Sequence, residues 1–381
     1  MNISSLNDDG PDTELYSPEC VRSVGRTGAT EKAKTRLPIV LSAVVTAAFC
    51  LCFGRVASAH EKWFKEGPAT EWQGVLEAPT LILIIFVVGL TGTAAFAWRF
   101  RLRRDIIPGP SALGANDAGR RLFYAWVPAI LATHVAAPLL VYGISGKFLS
   151  PNNELPGRSI YWLGLLQATV ALSLVYGGLT RIGAALLAIG WLAGTIRIGV
   201  EPMLENIHYL GFAAFFFFAG RGPYSLDRLL APRLEPPVHQ SAWAIPALRV
   251  CLGLSLITVA FTEKLANLRL AQEFLVDYPL NFTAALGIPL SDATFVRCCG
   301  AVELLVGLFL LFGLFPRTII LIAWFPFNLT LTIFDWVELI GHLPFYGALA
   351  VLLVWTPSIE DQRLLREGLA GAFAEGGERR E

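Results

Sequence analysis

Charge is scarce in this chain and evenly split: Asp, Glu, Lys and Arg make up only 16% of 381 residues, 30 of them basic and 30 acidic. A zero net charge argues against a nucleic-acid surface, which needs an excess of positive side chains. The six cysteines form no C-x-x-C and show no zinc spacing. No phosphate loop, no nucleophile elbow and no GxGxxG after a strand occurs, so ATP-driven transport and soluble hydrolase chemistry have no support. Histidine is also rare, with five in all, so where each one sits carries information.

What the chain has in abundance is apolar sequence. Hydrophobic residues are 54% of the total and the mean hydropathy is +0.56, far from the values of a soluble domain. Apolar runs fall near 38-58, 79-98, 122-145, 159-179, 182-200, 206-220, 244-262, 293-315, 317-334 and 342-355, and most approach the roughly 20 residues that span about 30 Å of hydrocarbon. The expected fold is an all-α integral membrane protein with about ten transmembrane helices. Its surroundings are the lipid bilayer, with other membrane or redox subunits as possible partners and no nucleic acid.

Basic residues set the orientation. Arg22, Arg26, Lys32, Lys34 and Arg36 precede the first run, and Arg99, Arg101, Arg103, Arg104, Arg120 and Arg121 follow the second. Both flanks read as cytoplasmic, and alternation then places 60-78, 146-158, 197-205, 263-292 and 335-342 outside. A multi-pass protein of the cell membrane with both termini cytoplasmic is expected. The first run ends Ala57-Ser58-Ala59-His60, the form of a signal-peptidase site. At about 20 residues the run is long for a signal core, which favours an uncleaved hairpin. Its loop, His60-Glu61-Lys62-Trp63-Phe64, reads as a headgroup-level aromatic belt.

An internal repeat organises the rest. Leu174 to Arg181 (LVYGGLTR) aligns with Leu310 to Arg317 (LLFGLFPR) at an offset of 136, which sets Gln167 against Glu303. Upstream, Gly146-Lys147-Phe148 corresponds to Glu263-Lys264-Leu265. The expected organisation is a disordered tail 1-36, an N-terminal two-helix module 37-120, a four-helix repeat 121-222, a connector 223-242, a second four-helix repeat 243-357, and a tail 358-381. Four helices per repeat make the two copies parallel.

Glu205-Asn206-Ile207-His208 and Glu338-Leu339-Ile340-Gly341-His342 stand at matching places, before the last apolar run of each repeat. Those runs are about 13 residues, roughly 20 Å of helix, so the Glu/His segments must lie within the outer membrane for the helices to cross. Polar groups are costly there and mark functional sites. Glu205 and His208 are read as sharing one helical face. Glu338 and His342, four apart, can share a face too, unless Pro344, which belongs in a first turn, leaves Glu338 in the preceding loop. His208, His342, Glu205 and Glu338 form a candidate divalent-metal set, or the same groups form a proton relay around a redox-active ligand. The alternative is structural: a carboxylate near a helix N-terminus and a locally bonded imidazole. Glu303 can pair with Lys264, Arg297 or His342, whereas His134 and Asn328 read as interior hydrogen-bonding residues. Cys50 and Cys52 face different ways, Cys298 and Cys299 are vicinal, and apolar filler is the preferred reading for all of them.

Ala247-Leu248-Arg249 to Glu263-Lys264, Gly300-Ala301-Val302-Glu303-Leu304-Leu305-Val306-Gly307, Phe315-Pro316-Arg317 and Glu338 to Gly347 together resemble the DoxX family of small membrane proteins, and 121-222 resembles a second, diverged copy. The resemblance implies a four-helix membrane bundle in redox work, such as quinone-linked thiosulfate oxidation or thiol and oxidative-stress systems. By matching position it marks Lys264, Glu303, Glu338 and His342 as the family-like polar residues. The expected function is a quinone-linked, redox-associated subunit in which Glu303, Glu338 and His342 handle protons and Lys264 balances charge, with Glu205, His208 and Gln167 as diverged ligand-binding equivalents. A non-enzymatic transporter or metal-handling protein using the same cluster is the alternative.

Overall fold

The computed structural model describes residues 60-101, 103-354, 364 and 367. The tail 1-36, the first apolar run, the Ala57-Ser58-Ala59 motif, Cys50, Cys52 and most of 358-381 lie outside the described residues. Those described are helical throughout, with no strand among them and one isolated bridge between Lys147 and Glu154.

The helices follow the apolar runs. They are α1 (Ala78–Phe100), α2 (Asp117–Ile144), α3 (Ser159–Tyr176), α4 (Thr180–Arg197), the short α5 (Val200–Glu205), α6 (His208–Ala219), α7 (Leu226–Leu230), α8 (Ala244–Val259), α9 (Leu268–Asp277), α10 (Asp292–Phe312), α11 (Pro316–Leu331) and α12 (Trp336–Val354). Among the described residues, six segments are long and apolar enough to cross a membrane: Ala78–Phe100, Asp117–Ile144, Ser159–Tyr176, Pro232–Leu265, Asp292–Phe312 and Trp336–Val354. This is a multi-pass membrane protein by length and composition. The runs near 182-200, 206-220 and 317-334 also fold as helices, of 18, 12 and 16 residues, but do not reach that standard.

Caps fix several boundaries. The Asn116 side chain accepts from Gly119 N at 2.7 Å and Ser291 from Thr294 N at 3.3 Å, the side-chain capping that satisfies first-turn amides. Two corners share an unusual backbone. Gly177 and Leu179 have φ of 65° and 54°, and Gly313 and Phe315 have φ of 66° and 42°. A left-handed conformation suits glycine but costs a leucine or phenylalanine about 1–2 kcal/mol. At each corner a distant carboxylate ties down the helix that follows. Asp227 accepts from Leu179 N and Thr180 N at 2.5 and 2.8 Å, and Asp105 accepts from Arg317 N and the Thr318 hydroxyl at 2.7 and 2.6 Å. Each anion also meets the positive end of a helix dipole.

Packing is reciprocal between the two halves. Within the first, α2 packs on α3, α3 on α4 and α4 on α6; between them, α6 packs on α8 and α12 on α2. The helices expected to end each repeat, α6 and α12, therefore lie against α8 and α2, those expected to begin the other. The shared core includes Leu131, Val135, Leu139, Phe212, Phe216, Leu248, Leu252, Phe345 and Leu349. Helix α1 stands apart, packed mainly on α10 and exposing Ile82, Ile85, Phe86 and Phe96, as a bilayer-facing helix does.

Candidate functional site

The polar residues with outward assignments meet at one end of the bundle, and they do so around a segment that sequence reasoning assigned to the membrane surface. His60-Glu61-Lys62-Trp63 forms a single tight turn that inserts among the helix ends, leaving His60 and Glu61 only 7% and 5% exposed. The aromatic-belt reading of this loop is thereby corrected. Trp63 stacks on His60 with ring centroids 4.1 Å apart and fits the notch beside Gly341, where a Cβ would overlap its ring. Phe64 stacks on Phe334 at 4.7 Å, and Lys65 pairs with Asp277 at 2.6 Å.

Beneath this turn the end of α8 changes its winding: Ala260–Leu265 is a π-helical turn. Such turns are rare and cluster at functional sites. Thr262, Glu263 and Lys264, three consecutive residues, are all buried here. Lys264 Nζ lies 2.9 Å from Glu61 and 3.0 Å from Glu303. Of the three partners expected for Glu303, Lys264 is thus observed; Arg297 turns instead to Glu77 and Thr80. Glu263 lies 3.5 Å from His60 Nδ1. Burial alone would lower the His60 pKa, but Glu263 overcomes it and holds the imidazole above its ordinary value. For Glu61 burial dominates, raising the carboxyl well above its usual range against the pull of Lys264.

The two Glu/His pairs sit at the two reciprocal interfaces, with different surroundings. Glu205 and His208 do not share a helical face, because Asn206 and Ile207 break the chain between α5 and α6. Glu205 accepts from Lys62 at 2.6 Å and from the Thr262 hydroxyl at 2.7 Å, while Lys62 also reaches Glu201 at 3.0 Å. His208 Nδ1 is 2.9 Å from the Ser255 hydroxyl, which donates to the Glu205 carbonyl. Both side chains thus hold hydrogen-bond partners.

Glu338 and His342 do share a face, one turn apart on α12. The helix begins at Trp336 and carries Pro344 in its interior, which decides between the two placements open for Glu338: the proline forgoes only the bond to the Ile340 carbonyl. Both side chains are completely buried and their nearest polar atoms are 3.2 Å apart. The His342 ring makes no hydrogen bond of ordinary geometry; Glu338 interacts with the Thr330 hydroxyl, which also donates to the Phe327 carbonyl at 3.0 Å. The imidazole is ringed by Phe327, Trp63, His60 and Phe345, at centroid distances of 4.7, 5.1, 5.3 and 6.1 Å. Tyr142 on α2, buried with its hydroxyl unbonded, interacts electrostatically with Glu338 and went unnoticed in the sequence.

Other candidates are placed elsewhere. Gln167 donates to the Lys147 carbonyl at 2.8 Å and accepts from Leu149 N at 2.9 Å, so its amide holds the 147-149 turn. His134 hydrogen-bonds the Ile130 carbonyl one turn back at 2.8 Å. Asn328 is exposed and bonds within its own helix, to Trp324, not between helices. Cys251, Cys298 and Cys299 are free thiols. Among the described residues no group of three or more His, Cys, Asp or Glu side chains is arranged to hold a metal ion. His208, His342, Glu205 and Glu338 fall into two groups, and the Phe345 ring contacts both imidazoles, 4.5 Å from His208. Metal coordination needs ligand atoms within about 2 Å of one ion.

The cavity beside Glu61 and Lys264 measures about 10 Å³, bounded by Phe274, Leu275, Phe295 and Cys299. That is room for one water molecule. No family model, curated protein or solved structure matches this chain.

Proposed function

We propose that this chain is a DoxX-like multi-pass protein of the cell membrane, built from an N-terminal hairpin and two parallel four-helix repeats, and that its buried Glu/His/Lys cluster handles protons for a redox-linked reaction. The observation that carries this reading is the Glu338–His342 pair: two ionisable groups, fully buried and 3.2 Å apart. Nature retains such an arrangement at membrane depth where protons are exchanged.

The surrounding charge supports it. Among the described residues the buried carboxylates Glu61, Glu205, Glu263, Glu303 and Glu338 face Lys62, Lys264 and His60. Like charges held close in a poorly solvated site cannot all ionise, so the cluster stores protons. A quinone is the first candidate for the redox partner, since its reduction consumes two protons with two electrons. The one-water cavity beside Glu61 favours a quinone approaching from the bilayer side of the bundle over a ring enclosed next to Lys264. The transporter and metal-handling alternative rests on no comparable observation.

The repeat draws support from the matching left-handed corners and the reciprocal packing of α6 on α8 and α12 on α2. Ten spans, with the termini and the Arg221–Arg233 connector in the cytoplasm, complete the reading. Reporter fusions at Gly114, Gly157 and Gly287 test the topology. For the function, purified protein in nanodiscs is titrated with a short-chain ubiquinone and its quinol. The proposal requires binding or electron transfer that Glu303→Gln and His342→Ala diminish while both variants remain folded and inserted. Unchanged behaviour in both variants sinks it.

A further inference from the structure

A second polar cavity lies at the opposite end of the bundle and owes nothing to the Glu/His cluster. Helix α6 begins at His208 beside the cluster and ends at Ala219, where the chain turns through Gly220 and Gly222, with φ of 68° and 86°. The end of α6, the start of α4 at Thr180 and the connector around α7 enclose a cavity of about 180 Å³, several times what one water needs.

Its lining mixes apolar groups such as Phe218 and Pro236 with balanced charge: Arg221 and Arg228 against Asp227 and Glu235, with hydroxyls from Thr180 and Ser225. Part of this set serves the fold. Both Asp227 oxygens accept from the α4 amides, and Arg221 is fixed by the carbonyls of Leu174, Val175 and Tyr224. Ser225 donates to Glu235 at 3.3 Å. One group has no such role: Thr180 is 2% exposed, lines the cavity, and its hydroxyl has no hydrogen-bond partner. A buried hydroxyl without a partner is costly, and a ligand entering here would satisfy it.

The flank of the cavity indicates what kind of ligand. Leu229 and Leu230, which follow the lining residue Arg228, and Trp243, two residues after the lining Ser241, are 77%, 74% and 67% exposed. Such an apolar shoulder beside a polar recess suits a molecule with both characters. Equal numbers of guanidinium and carboxylate groups disfavour a simple anion and suit a zwitterion. The geometry points to a binding site for the head group of an aminophospholipid, its phosphate toward the arginines and its ammonium toward Glu235 and Thr180, its acyl chains along Leu229, Leu230 and Trp243. A primary ammonium donates hydrogen bonds to those oxygens and a choline does not.

The test uses the full chain in nanodiscs of phosphatidylcholine alone, or with phosphatidylethanolamine or phosphatidylglycerol added, read by native mass spectrometry of retained lipid and by thermal unfolding. Phosphatidylethanolamine should be retained preferentially and raise the unfolding midpoint. Glu235→Gln should lower its retention roughly tenfold, the worth of one hydrogen bond to a charged group, and Thr180→Val should lower it in the same direction, both with unchanged midpoints in phosphatidylcholine. Equal retention of the three lipids, preference intact in both variants, or the same midpoint shift from soluble phosphoethanolamine would each overturn the assignment.

Discussion

The Lys264 ammonium lies 3.0 Å from the Glu303 carboxylate, joining the π-helical end of α8 to the middle of α10 inside the bundle. The same ammonium is 2.9 Å from Glu61, so one buried cation ties the inserted turn to two helices. Removing one partner of a buried pair strands the others, which costs about 3–5 kcal/mol. Lys264→Met should therefore destabilise the folded protein by about that amount, and adding Glu303→Gln should recover part of the loss. Unfolding in mild detergent checks both. Additive effects of the two changes would mean that the pair is not coupled.

Stability should fall as the pH rises through the titrations of His60 and Glu61. Both have folded-state values above their ordinary ones, so each binds its proton more tightly folded than unfolded. Their contribution is complete below the unfolded pKa and is lost as pH passes the folded pKa. Glu263→Gln removes the group that raises His60 and should move the histidine part of this loss to lower pH. Thermal midpoints across a pH series provide the measurement. A midpoint that climbs with pH over this range contradicts the assignment.

Gly341→Ala should dislodge Trp63, because the added methyl overlaps the indole. Overpacking of this kind costs about 1–3 kcal/mol. The loss should shrink in a Trp63→Ala background, where the space is vacant. An equal loss in both backgrounds would place the strain elsewhere.

Asp227→Asn removes the charge that holds Leu179 N and Thr180 N. Hydrogen bonds to a charged group contribute about 1.5–3 kcal/mol, so a drop toward the lower end of that range is expected, with Asp105→Asn giving a similar one at the Arg317 corner. Hydrogen exchange of the first α4 amides should rise in the first variant and stay unchanged in the second. Insensitivity of both corners would remove the carboxylates from the account of how the left-handed residues are held.

The sequence made the helices legible because an apolar run of membrane length has few other folds open to it. Glu303 and His342 stood out as ionisable residues inside such runs, whereas Lys264 and Glu338, just outside them, were marked by the Glu/His repetition and the family resemblance. Three things were hidden. His60 to Phe64 has the composition of an interfacial loop, and only tertiary structure shows that it turns inward to meet Lys264 and Gly341. The π-helical turn has no sequence signature, so three consecutive buried residues at 262-264 could not be foreseen. The expected register sets Gln167 against Glu303 and Lys147 against Lys264, but an amide carries no charge to pair with an ammonium, and Gln167 bonds the backbone of the 147-149 turn instead. Pro344 left the placement of Glu338 undecided through a sound rule: prolines favour first turns, yet a membrane helix tolerates one in its interior when neighbours cover the freed carbonyl.

Proton exchange at the Glu338–His342 pair is the central claim, and proton counting tests it most directly. Calorimetric titration of the protein in nanodiscs with a short-chain ubiquinol, repeated in buffers of different ionisation enthalpy, reports the protons taken up or released per ligand bound. The account predicts a net exchange in the native protein that vanishes in Glu338→Gln and His342→Ala variants that still fold and insert. Binding with the same proton count in all three proteins would contradict it.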